Sequence, residues 1–66
     1  MVTLTSKSSP GAMAKRARMA QRLTQQELAR LAGVPRESVG LFERGLPVPL
    51  DIRRRLLREL WARKTG

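Results

Sequence analysis

Residues Leu23 to Gly45 read LTQQELARLAGVPRESVGLFERG, and the reading of this stretch decides the fold. Thr24 is a good N-cap residue, and Glu27 three positions later completes a capping-box pattern ahead of Leu28, Ala29, Leu31 and Ala32, so a helix is expected to start here. Gly33 has no Cβ to oppose the left-handed conformation that commonly ends a helix, and Pro35 suits the first turn of a new one. The second helix is expected from about Pro35 or Arg36 to Arg44, with Gly45 as its stop. Val39 and Phe42 lie three apart and should face a core, which leaves Arg36, Glu37, Gly40, Leu41 and Arg44 mostly outward.

Two short helices around one tight turn match the helix-turn-helix unit, whose second helix can lie in the major groove of DNA. On the residues just quoted the chain resembles the phage repressor/Cro type of helix-turn-helix protein, also called XRE-like. The resemblance rests on Leu23-Thr24-Gln25, Glu27-Leu28-Ala29, the Gly33 turn, Val39 and Phe42 at buried spacing, and Glu43 followed by Gly45. Weaker agreement extends from about Ala14 to Leu60. The resemblance implies an all-α, compact four-helix domain of the lambda repressor-like DNA-binding fold.

Composition points the same way. Sixty-six residues allow one small domain, whose core is marginal without efficient helix packing or a partner chain. Fourteen Lys and Arg against five Asp and Glu give a net charge of +9, a strong attraction to polyanions, of which nucleic acid is the favoured class. With no cysteine and no histidine, disulfide frameworks, thiolate metal sites and zinc-finger readings lose their usual ligands, and no metal or cofactor is expected. No nucleophile and base constellation stands out either, so an enzyme is not expected. No apolar run approaches the roughly 20 residues that span a bilayer, and residues 1–14 lack the apolar core of a secretory signal. A cytoplasmic protein without membrane contact is the expectation.

Outward from the motif, residues 1–11 are rich in Ser, Thr, Lys, Pro and Gly and read as a mobile arm, with the domain occupying 12–66 and the motif 24–45. A first helix is expected from Ala12 to Arg22, with Met13, Ala14, Ala17 and Ala20 or Met19 available for burial. The segment LPVPL, residues 46–50, holds two prolines within three positions and should be a stiff connector. Asp51 is expected to cap a final helix in which Ile52, Leu56, Leu57, Leu60 and Trp61 share one face, while Arg53, Arg54, Arg55, Arg58, Arg63 and Lys64 fill much of the rest. Trp61 can close the core or sit in a subunit interface.

The resemblance assigns roles position by position. Early residues of the second motif helix, and one about a turn later, meet base edges in the family; here these are Arg36, Glu37 and Leu41. Arg36 has the donors for guanine O6 and N7, and Glu37 can accept from cytosine N4 or simply favour the helix N-terminus. Leu41 is apolar where many relatives are polar, and a thymine methyl or a dimer contact both suit it. Gln25 stands at a helix N-terminus, where free amides favour an anion and where the family contacts a DNA phosphate. Ser38 and Arg44 are further phosphate candidates, contacts that position a protein without reading sequence. Arg18 and Glu43 fall where the family often has a charged pair linking the first helix to the end of the second motif helix.

Two departures bear on function. The family's connector after the second motif helix is commonly basic, whereas here it is Leu46-Pro47-Val48-Pro49-Leu50, and no clear fifth helix follows Trp61. A sequence-specific regulator of transcription, acting as a repressor on double-stranded DNA, is therefore expected to work as a homodimer or with another protein chain. The rival expectation is a protein-interaction module, such as an antitoxin or adaptor, holding a protein partner with the same fold.

Overall fold

The computed structural model describes residues 9–62. Four helices follow one another: α1 (Pro10–Ala20), α2 (Gln25–Ala32), α3 (Arg36–Glu43) and α4 (Leu50–Ala62). No strand occurs among the described residues, so the all-α, four-helix architecture is as expected. Residues 1–8, including Val2 and Leu4 of the expected arm, and 63–66, including Arg63 and Lys64, lie outside the described residues.

Helix α1 begins at Pro10, two residues before the expected start at Ala12, and so takes Pro10 and Gly11 out of the arm. The cause is local. Ser9 accepts a hydrogen bond from the Ala12 amide at 3.2 Å, and Pro10 occupies a first-turn position where its missing N–H costs nothing. Gly11 is buried because α1 crosses the end of α3: a Cβ there would collide with the Phe42 carbonyl oxygen and stand 3.1 Å from that of Glu43.

Helices α1, α2 and α3 end in the same way. At each, a residue one or two positions past the helix adopts a left-handed conformation: Arg22 (φ 58°), Gly33 (φ 70°) and Gly45 (φ 83°). The residue after it then donates back five positions: Leu23 to Arg18 at 3.2 Å, Val34 to Ala29 at 3.0 Å and Leu46 to Leu41 at 2.9 Å. These are Schellman closures, which satisfy carbonyls left open at a helix end. Helix α4 starts with the Arg53 amide donating to the Pro49 carbonyl at 3.0 Å, so Asp51 lies within the first turn. There it complements the helix dipole by charge rather than acting as the expected cap.

The core is formed by Ala14, Leu28, Ala29, Val39, Phe42, Leu56 and Leu60, with Ala17, Ala32, Val34, Val48, Ile52 and Leu57 packed around it. The fully buried Leu28, Val39, Leu56 and Leu60 each contribute about 1.5–3 kcal/mol of transfer free energy. Leu31, although in the apolar pattern of α2, is exposed, and so are Met13, Met19 and Trp61. The α4 stripe therefore divides: Leu56 and Leu60 point into the core while Trp61, 40% exposed, stays on the surface.

Candidate nucleic-acid interface

The surface around the motif is organised from the N-terminus of α2. Thr24 Oγ1 accepts from the Glu27 amide at 3.0 Å while Glu27 Oε1 accepts from the Thr24 amide at 2.8 Å, which is the reciprocal capping box. This leaves the amides of Gln25 and Gln26 without an acceptor within the helix. Around them a surface depression is lined by Arg22, Gln25, Gln26 and Arg36 among others. Arg22 was not singled out by its sequence context; its left-handed conformation brings an exposed guanidinium beside the α2 N-terminus.

A second depression shares Gln25 and Arg36 with the first, and its other lining residues are Glu37, Gly40, Leu41 and Arg44. Arg36, Glu37 and Arg44 are exposed, and Leu41 is half-buried. The structure thus brings together five of the six residues that the resemblance assigned to DNA. The sixth, Ser38, is only 8% exposed and sits beside Val39 on the inward side of α3. The serine follows the i, i+4 row of Phe42 rather than the outward row of Glu37, Leu41 and Arg44. A Cβ on Gly40 would meet Gln25 Oε1 and Arg44 Nη2 at 3.7 Å, ordinary contact distance, so nothing within the chain requires a glycine there.

Beneath this surface, Arg18 and Glu43 are in direct contact. Arg18 Nε donates to Glu43 Oε2 at 2.7 Å and Nη2 donates to Oε1 at 3.1 Å, the two-pronged arrangement that gives guanidinium–carboxylate pairs their directionality. Arg18 Nη1 donates to the Leu23 carbonyl at 2.8 Å, and Gln25 Nε2 donates to Glu43 Oε1 at 3.1 Å. The side chains of Arg18 and Glu43 are 11% and 3% exposed. One carboxylate therefore joins the middle of α1, the start of α2 and the end of α3. Gln25 spends one of its two side-chain amide hydrogens on Glu43.

Two further ties were not legible from spacing. Arg55 Nη1 donates to the Gly33 carbonyl at 3.3 Å, linking α4 to the turn of the motif. Gln21 Nε2 donates to the Leu60 carbonyl at 2.9 Å, linking the end of α1 to α4. Arg53 lies over the Phe42 ring, 6.0 Å from its centroid, and covers the core where the connector passes.

Among the described residues no group of His, Cys, Asp and Glu is placed to hold a metal ion, and no helix is long and apolar enough to cross a membrane. A helix-turn-helix family model matches residues 15–54, from α1 into the first turn of α4. Comparison with curated proteins and with solved structures gave no match. The capping box, the Gly33 turn and a family match across more than half its length lead to one assignment: the chain belongs to the XRE/Cro-like helix-turn-helix family of DNA-binding regulators.

Proposed function

We propose that the protein is a sequence-specific repressor that inserts α3 into the major groove and acts by occupying promoter DNA. The observation that carries this reading is the single continuous surface formed by the α2 N-terminus and the outward side of α3, lined by Gln25, Arg36, Glu37, Leu41 and Arg44. Arg36 donates to guanine O6 and N7, Glu37 accepts from an adjacent cytosine N4, and Leu41 packs on a thymine methyl. Gln25 and Arg44 hold phosphates on either side, assisted by Arg22 and the open amides of α2. Ser38 contributes its position in the family pattern but the least accessible side chain of the three phosphate candidates.

A single eight-residue reading helix offers few base contacts, so useful specificity requires a second reading head, supplied by another copy on a two-fold operator or by another chain. The buried Arg18–Glu43 pair is structural in this scheme, fixing α3 against α1.

Selection of bound duplexes from a random pool tests the reading. A short, palindromic site should be enriched, and Arg36→Ala should cost about 1–3 kcal/mol and relax preference at particular positions rather than uniformly. Salt-sensitive binding with no enriched site would overturn it, because the charge of +9 alone produces non-specific affinity.

A further inference from the structure

Between α1 and α4 lies an apolar groove whose residues do not line the α2–α3 surface. Its floor is made by Pro10, Met13, Leu57 and Trp61, in a depression of about 620 Å³. A smaller hollow continues it along α1, where Met13 and Trp61 recur with Ala17 and Ala20. Met13 and Trp61 are 47% and 40% exposed, large apolar side chains standing in solvent beside one another. The rim is basic: Arg53, Arg54 and Arg58 border the groove and Arg16 borders the hollow, with no acidic residue lining either among the described residues. Arg16, Arg54 and Arg58 make no ion pair among the described residues.

We propose that this groove is a docking site for an acidic amphipathic helix of another protein, whose apolar side chains seat against Met13, Leu57 and Trp61 while its carboxylates meet the arginine rim. A groove between two helices accepts a third through anchors spaced i, i+3, i+4 and i+7. The floor argues against duplex DNA, whose bases are stacked inside a shell of phosphates and leave no apolar face to seat in it. The rim explains why it is not a second copy, because a two-fold contact would set these arginines against their equivalents in chains of net charge +9. The inference does not depend on α3 reading bases, and failure to enrich an operator leaves it intact.

Trp61 is the only tryptophan in the chain, so its emission reports on the groove directly. Three synthetic peptides of about 14 residues, two to three anchor repeats along one helical face, serve as probes. One carries leucines at the anchor positions with glutamates elsewhere, one has lysines in place of those glutamates, and one keeps the glutamates but replaces the leucines with serine. The first should bind one to one with a blue shift of Trp61 emission, at least about tenfold tighter than either of the others. The Arg54→Glu, Arg58→Glu double variant and, separately, Met13→Glu should each weaken it by about tenfold or more while leaving helical content in place. Four results would overturn the proposal. These are an emission shift that follows protein concentration alone, equal binding by the leucine-free peptide, displacement of the peptide by an equimolar DNA duplex, or no shift with the first peptide.

Discussion

Helix α1 and the α2–α3 motif are built by different means, although both deliver groups to the same surface. The motif is specified locally: a capping box opens α2, glycines close α2 and α3, and apolar residues recur at helical spacing. Helix α1 has a weak apolar face, an exposed Met13 and Met19, and a buried Gly11 and Arg18. It is held by partners far along the chain: Gly11 against the carbonyls of Phe42 and Glu43, Arg18 against Glu43, and Gln21 against Leu60. A locally encoded element keeps its shape when a distant contact is lost. One encoded through distant contacts does not, so substitutions that cut α1 free should exceed those that weaken the motif from within.

The largest effect is expected at the junction between the two. Glu43→Gln strands the Arg18 guanidinium in a site it shares with little water, which should cost about 3 kcal/mol and lower the melting temperature by roughly 10–20 °C. An unchanged melting temperature would remove the pair from any structural role. Gly11→Ala should follow at roughly 1–3 kcal/mol. Alanine is the better helix former, so a gain in stability here would show that α1 can move away from α3 without loss. Thr24→Ala removes one bond of the capping box and should cost about 1 kcal/mol, read in chemical denaturation. If it costs more than Gly11→Ala, the contrast between the two regions fails.

The smallest effect has the opposite sign. Arg22 is the only described non-glycine residue at positive φ, doing at the end of α1 what Gly33 and Gly45 do at the ends of α2 and α3. Arg22→Gly should raise stability by about 0.5–1 kcal/mol. It should also weaken duplex binding evenly across sequences and reduce its salt dependence by about one charge. Stabilisation without that change in salt dependence would reduce the arginine to a strained surface residue.

The same division explains what was legible in the sequence. Residues 24–45 state their structure in short-range signals, so the two helices, the turn and the outward set of α3 follow from spacing. Ser9-Pro10 is also a local signal, but in a stretch rich in Ser, Lys and Gly it reads as loop chemistry until the buried Gly11 shows a helix beneath it. Arg18 looks like a surface cation in an alanine-rich helix unless the family resemblance supplies its partner 25 positions away. Ser38 is a different case: helical spacing leaves it off the outward set of α3, and its burial agrees with that spacing rather than with an exposed phosphate contact. Trp61 belongs to an apolar stripe wider than the core it faces, and the excess becomes a surface that α1 alone does not cover.

Glu43 has a mechanical consequence. It anchors α3 at one end, and Arg36 stands at the other, seven residues or about 10 Å away along the helix axis. A tilt of about 5° about that anchor swings the Arg36 end by about 1 Å, which in the proposed base-reading role is enough to spoil a hydrogen bond to a base edge while phosphate attraction hardly changes. The carboxylate is the fulcrum of a short lever, and loosening it should blunt discrimination between sites before it weakens the grip on DNA.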